Sequence, residues 1–323
     1  MKFPILAHFK QTLINFRTEI IPQKFPFEIS FNSRILSLGS CFSENIGHYL
    51  RDLESPIQIN PNGILFNPLS IAKAIEDLLN NNRTDEKDLI HAQGLWHSWK
   101  HHGRFSNPDK VTALKGMNLE LNNAFEKSSS TKLLIITLGS AFAYLHKSYG
   151  IVANCHKVPQ AEFKKVLLEQ NEIVGHFLDV LQRFKDRSPE LEVIFTLSPV
   201  RHWKEGPENN SLSKSILRTA IHEIQKKFSF CHYFPSYELM MDDLRDYRWF
   251  NSDLLHPNAQ AIEYIWEKFK ETLFNEDQLA YILEKEKLNR LKGHRSTSEI
   301  DHFRQYEEKS QVLKNKFSFL FQE

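Results

Sequence analysis

The sequence predicts a doubly wound α/β fold, a mainly parallel sheet with helices on both faces. Three observations lead there. Four short apolar runs, at residues 34–38, 132–138, 192–197 and 231–234, have the length of strands. The middle two, KLLIITLG and LEVIFTLSP, are nearly unbroken in Leu, Ile, Val and Phe, the pattern of strands covered on both faces. Helical periodicity separates the runs, and strand alternating with helix builds parallel units.

Taken in order, the first run stops at Gly39 and a helix is expected to begin around Cys41. LSIAKAIEDLLNNN follows Pro68 as a helix, and DKVTALKGMNLELNNAFEKS forms another ahead of the second strand. AEFKKVLLEQNEIVGHFLDVLQRFKD reads as one helix before the third strand, and SLSKSILRTAIHEIQKKF as one before the fourth. Past His256 the chain reads as helical throughout, ending in a charged helix near 299 to 318. No linker, repeat or low-complexity segment divides it. The expectation is one domain over 1–323, with a helical C-terminal extension from about 275.

Lys plus Arg number 41 and Asp plus Glu 40, a formal net charge of +1. That balance gives no support to a nucleic-acid or membrane partner, either of which favours a basic excess. Cys41, Cys155 and Cys231 are too few, and odd in number, for a disulfide scaffold, and they suit a reducing compartment. His8, Lys10 and Arg17 interrupt the apolar N-terminal stretch. No signal peptide or membrane span is read there, and a cytoplasmic location is expected.

Small and polar residues gather just past the strands: Gly39-Ser40-Cys41, Gly139-Ser140 and Ser198-Pro199. In open parallel sheets the ligand crevice lies at that carboxyl edge. Cys41, at a strand-to-helix turn, would gain thiolate character from the helix N-terminus; the bland alternative is a small buried apolar residue. Ser40 is a second candidate nucleophile or a helix cap. If Cys41 itself opens the helix, Glu44 stands where a capping-box acid belongs.

Asp253 and His256 are three residues apart in NSDLLHPNAQA. One turn of chain can set the carboxylate on the imidazole, which then serves as a base; an unrelated turn Asp and surface His is the plain alternative. Asn154 and His156, in IVANCHKVPQAEF, are candidate hydrogen-bond donors to the crevice rather than metal ligands. Cys155 and His156 are adjacent, and adjacent residues rarely face one ion. Arg201, His202 and Lys204 form a positive cluster in LSPVRHWKEG that suits either an acidic substrate group or a solvated loop. The His-rich HAQGLWHSWKHHGRFS alternates like a hairpin.

Together these stretches resemble the GSCFA family, similar to a branch of the SGNH/GDSL esterase superfamily. The matching stretches include LGSCFSENIG, NPNGILFNP, LWHSWKHHGRFS, TLGSAFAY, VANCHKVPQAEF, SPVRHWKEG with SLSKSILR, YFPSYELMMDDLRDYRWF and SDLLHPN, and the resemblance reaches HRSTSEIDHF near 294–303. Ser43 stands where the family motif has Ala. The resemblance implies a three-layer α/β/α sandwich. It sets Cys41 at the nucleophile position of the Gly-Asp-Ser block and Ser40 at its Asp. Asp253 and His256 match the Asp-x-x-His block, and Gly63 the oxyanion-hole glycine. Gly139 matches the glycine of the Gly-x-Asn-Asp block, but Ala141 replaces its asparagine. The implied activity is hydrolysis or transfer of an acyl group from an ester or thioester, with no metal and no organic cofactor. The expected partner is a small-molecule or carbohydrate acyl substrate, with Trp96, Trp99 and Trp203 as a possible aromatic wall. Two rivals remain: a non-catalytic protein holding an anionic ligand on Arg201, His202 and Lys204, and a metal-dependent hydrolase built on the histidines.

Overall fold

Strand β1 (Arg34–Gly39) is followed by β2 (Ile57–Ile59), β3 (Leu89–Ala92), β4 (Leu95–Ser98), β5 (Thr131–Leu138), β6 (Phe142–His146), β7 (Gly150–Val152), β8 (Phe163–Leu167), β9 (Glu192–Leu197) and β10 (Cys231–Phe234). The computed structural model describes residues 17–292 and 299–321. The N-terminal stretch through residue 16 and most of the HRSTSE match therefore lie outside the described residues. The principal helices are α1 (Cys41–Asp52), α2 (Pro68–Asn80), α3 (Lys110–Ser128), α4 (Gln170–Arg187) and α5 (Gly206–Lys227). After these come a short turn, α6 (Ser236–Glu238), and then α7 (Ala259–Leu273), α8 (Glu276–Lys292) and α9 (Glu299–Lys316).

Five strands form the central sheet in the order β10-β9-β5-β1-β2, every neighbouring pair parallel. Strand order reverses between β1 and β5, and ligand crevices of such sheets open at that switch point. Alternate residues supply the two faces. Leu134, Ile136 and Leu138 of β5, with Val193, Phe195 and Leu197 of β9, pack under α2, α4 and α5. Leu133, Ile135 and Ile194 point the other way, toward α1, α7 and α8. The result is the three-layer α/β/α sandwich. Tyr281 and Ile282 of α8 are fully buried in the second layer. No helix among the described residues is long and apolar enough to cross a membrane.

Side-chain caps fix where the helices start. Asn67 caps α2 ahead of Pro68, Asp109 caps α3 and Asn258 caps α7, each accepting from a backbone N–H of the first turn. The expected helix from Ala161 begins later than its pattern implied. Residues Phe163–Leu167 form β8, which pairs antiparallel with β6, as does β7. FKKVL alternates with period two, and the partner strand decides between that and the helical reading. Strand β2, three residues long and directly after Pro56, is too short for any periodicity to reveal. The His-rich segment is the expected hairpin, β3 paired antiparallel with β4.

Phe195 is fully buried and meets Phe177 edge to face, with ring centroids 5.4 Å apart. Phe195→Ala should destabilise the fold by about 3–5 kcal/mol, read as a lower urea midpoint with an unchanged slope.

Candidate active site

The site begins at the carboxyl end of β1. Gly39 has φ +131° and lies so close to β5 that an added Cβ would collide with the Thr137 carbonyl. Only glycine fits both constraints. Ser40 N–H donates to the same carbonyl at 3.2 Å. Ser40 is the N-cap of α1, its hydroxyl accepting from Phe42 N–H at 3.4 Å. Cys41 is therefore the first helical residue, and Glu44 belongs to the first turn rather than to a capping box. Glu44 pairs instead with Arg104 at 2.6 Å.

Behind this turn stands Asn60, fully buried. Its Oδ1 accepts from Gly39 N–H at 2.8 Å and from Ser43 Oγ at 3.2 Å. Its Nδ2 is buried without a partner. Arg104 donates to the carbonyls of Ile59 and Asn60. Gly63 N–H donates to Asn60 O at 2.7 Å. The amide that the resemblance offers to an oxyanion is thus engaged within its own turn. Gly63 has φ +78° and leaves room where the His102 side chain packs.

Cys41 is half-buried, and its thiol is raised above the ordinary thiol range. Burial is the largest cause; the backbone N–H groups of Phe42 and Cys41 oppose it, Glu44 adds to it and Lys214 lowers it. The helix N-terminus does favour the anion, as expected, but desolvation outweighs it. At neutral pH Cys41 rests as a thiol and needs a base to become a nucleophile.

Asp253 and His256 lie on the loop before α7, both exposed. Asp253 Oδ2 stands 2.6 Å from His256 Nδ1. Its Oδ1 accepts the backbone N–H groups of Leu255 and His256 at 2.9 and 3.0 Å. These backbone bonds, then the imidazole, hold the Asp253 carboxyl down at about 2. The carboxylate thus keeps Nδ1 as the protonated nitrogen and leaves Nε2 free to accept.

At the carboxyl ends of β5 and β9 lies a second polar group. The Gly139 N–H donates to Phe66 O at 3.0 Å, and the Gly139 carbonyl accepts Lys214 Nζ at 2.8 Å. Lys214 is 3% exposed and also donates to Ser198 O at 2.7 Å. Burial pushes its amine down to about 7, and the Cys41 charge acts in the other direction. His202, edge-on to Phe66, has a buried Nε2 with no hydrogen-bond partner. Burial, then the charges of Lys214 and His256, push its imidazole down to about 4, with the Gly139 backbone partly opposing. The Lys214 charge thus acts on both Cys41 and His202, and the His256 charge on His202.

The remaining sequence candidates are placed elsewhere. Arg201 donates to Met241 Sδ at 3.3 and 3.1 Å and lies over the Trp203 ring. Lys204 is exposed. With His202 held neutral at pH 7, the three do not act as one cationic cluster. His156 is buried; its Nε2 contacts Ser98 O at 2.8 Å and its ring stacks on His97. That is a packing role, not a donor aimed at substrate. Asn154 Oδ1 accepts His156 N–H at 2.9 Å, and its Nδ2 lies 4.0 Å from where a Cβ on Gly103 would stand. Trp96 packs on His91, Trp99 on His146 and Trp203 on Arg201, so each has its own partner. No cluster able to hold a metal ion occurs among the described residues.

Asn60 and Lys214 are the residues that sequence reasoning missed. Both lie in stretches that carry the resemblance, NPNGILFNP and SLSKSILR. An asparagine beside Pro-Asn-Gly looks like turn punctuation, and a lysine on an amphipathic helix looks solvated.

The GSCFA family model matches residues 34–269. The chain belongs to the GSCFA family. No curated protein matches it. Among solved structures, a carbohydrate esterase family 3 protein from Talaromyces cellulolyticus is 9% identical, with a TM-score of 0.36. That alignment covers 78% of this chain and 98% of the other. The acetyl xylan esterase Est2A from Butyrivibrio proteoclasticus is 13% identical, with a TM-score of 0.35, over 80% and 66% of the two chains. A carbohydrate esterase family 2 enzyme with a carbohydrate binding domain, from Corynascus thermopiles (Myceliophthora fergusii), is 12% identical, with a TM-score of 0.26. This GSCFA chain spans 37% of that protein's length, and the alignment covers 47% of its own.

Asn60→Ala leaves the Gly39 N–H without its acceptor and puts alanine at a φ of +47°, while the Ser43 hydroxyl keeps the Ser40 carbonyl. The stranded buried N–H costs about 1–3 kcal/mol. Thermal unfolding of Asn60→Ala should show a clear fall in Tm; an unchanged Tm would mean that Asn60 does not hold the turn.

Proposed function

We propose that this GSCFA protein hydrolyses or transfers an acyl group from an ester or thioester of a small molecule or carbohydrate. The observation that carries the reading is the Asp253 carboxylate held 2.6 Å from His256 Nδ1. The likeness of LGSCFSENIG and SDLLHPN to the first and last blocks of SGNH/GDSL esterases supports it.

In this mechanism His256 Nε2 takes the proton from Cys41 Sγ, and the new thiolate attacks the acyl carbonyl. The carbonyl π pair moves onto oxygen. Asp253, ionised at every pH above about 2, stabilises the imidazolium that forms. The tetrahedral oxyanion is met by the Cys41 backbone N–H. That group opens α1 and has no partner within the helix. As the intermediate collapses, His256 returns the proton to the leaving group. Water or an acceptor alcohol then releases the acyl group by the same base. The raised Cys41 thiol explains why the base is needed. Ser40 holds the turn through Thr137 and caps α1.

A panel of activated esters and thioesters run on four proteins tests this. Cys41→Ala should abolish turnover, while His256→Ala and Asp253→Asn should each lower kcat by about 100- to 10,000-fold with folding intact. Ser40→Ala should keep turnover and lose about 0.5–2 kcal/mol of stability. Full activity in Cys41→Ala together with none in a folded Ser40→Ala would transfer the nucleophile to Ser40.

A further inference from the structure

A cavity of about 450 Å³ lies beside α2 and α4. Small-molecule sites run from roughly 300 to 1,000 Å³. Ser70, Lys73, Glu76 and Asp77 of α2 line it, with Asp179 of α4. Trp99 and Lys100, just past β4, and Tyr149, in the β6–β7 turn, add to the lining. None of Cys41, His202, Lys214, Asp253 and His256 lines it, and Asn62 is its one residue from loop 60–66. The mechanism above makes no use of it.

The charges of the cavity are matched. Asp77 is 3% exposed, and a buried carboxylate is stable only when paired. Its Oδ1 stands 3.2 Å from Lys73 Nζ and accepts from Asn82 at 3.1 Å, and its Oδ2 stands 3.0 Å from Lys100 Nζ. Lys73 also donates to Glu76 Oε2 at 2.8 Å, and Asp179 takes Arg183 at 3.3 Å. Lys73, Lys100 and Arg183 thus balance Glu76, Asp77 and Asp179. No surplus charge is left to select an ionic ligand.

Uncommitted hydrogen-bonding groups of both senses remain. The Ser70 and Tyr149 hydroxyls and Glu76 Oε1 have no hydrogen-bond partner among the described residues, and both lysines keep unused protons. Tyr149 adds a flat apolar face. It is 39% exposed and is backed by the buried Trp99, with ring centroids 6.4 Å apart. A neutral sugar ring is complementary to this set. Its hydroxyls donate and accept around the rim, where bonds to charged groups are the strong ones. Its C–H face is apolar and lies flat on an aromatic ring.

We propose that this cavity is a binding site for a neutral sugar, held by Ser70, Lys73, Glu76 and Lys100, with Tyr149 against the ring. It goes beyond the acyl-transfer reading and does not depend on it, because no atom of the nucleophile or the base lines the cavity.

The experiment is an NMR titration of the full chain, labelled with ¹⁵N, against cellobiose, maltose and lactose, with inorganic phosphate and free lysine as ionic probes. At least one sugar should give saturable shifts of the Lys100 and Gly150 amides, and the ionic probes none. Tyr149→Ala should weaken that binding about tenfold or more. Ser70→Trp, which fills the cavity, should abolish it. Each variant is read only where its thermal unfolding matches the wild type, and unchanged affinity in either overturns the proposal. So do shifts from an ionic probe with none from any sugar, no shifts from any probe, or shifts confined to Ser40, Cys41 and Phe42. Cys41→Ala should bind sugar as the wild type does. Loss of the acyl-transfer reading would therefore leave this result standing, and failure of sugar binding would leave that reading untouched.

Discussion

Everything at the carboxyl edge depends on how closely β1 approaches β5. Gly39 can lie against the Thr137 carbonyl because it has no side chain. That contact delivers Ser40 N–H to the same oxygen and starts α1 one residue later. With the helix start fixed, the Cys41 position is fixed as well, because residues before it are in the ladder and residues after it are in the helix. Loop 60–66 is then threaded onto the two strand ends. Leu65 N–H donates to Gly39 O, and Gly139 and Ser140 both donate to Phe66 O. The site floor is a web of main-chain bonds, with the Asn60 side chain bonded into it.

Electrostatics built on that floor divide the work between two environments. The Asp253–His256 pair is exposed and held mainly by backbone N–H groups. Cys41, His202 and Lys214 are desolvated, and burial is the leading cause of each of their shifts. The His256 imidazole stays in contact with solvent, while burial keeps the Cys41 thiol from ionising at neutral pH.

The central strands were legible because they are buried on both faces and so almost continuously apolar, as KLLIITLG and LEVIFTLSP are. The Asp253–His256 pair was legible because both residues sit on one turn, where spacing along the chain is spacing in space. The β6–β7–β8 sheet was not, since FAYLH, GIV and FKKVL gain their meaning only from one another. Lys214 was the hardest. Its two acceptors come from residues 139 and 198, and no local pattern marks a lysine whose partners are the carbonyls of two distant strand ends. The Gly63 amide shows the opposite error, a motif position whose donor the fold had already engaged with Asn60.

The far end of α1 has its own anchor. Glu54, just past that helix, takes Lys285 of α8 at 2.5 Å and Lys314 of α9 on its other oxygen. Lys285 is wholly buried, so Glu54 is its neutralising partner and the three helices share one electrostatic knot. The family match stops at residue 269, before either lysine. An expression boundary drawn there would strip Tyr281, Ile282 and Phe317 from the core and leave Glu54 without its two cations. For anyone cutting this protein down to a minimal folded unit, the boundary is set by what braces α1 from behind and not by where the family match ends.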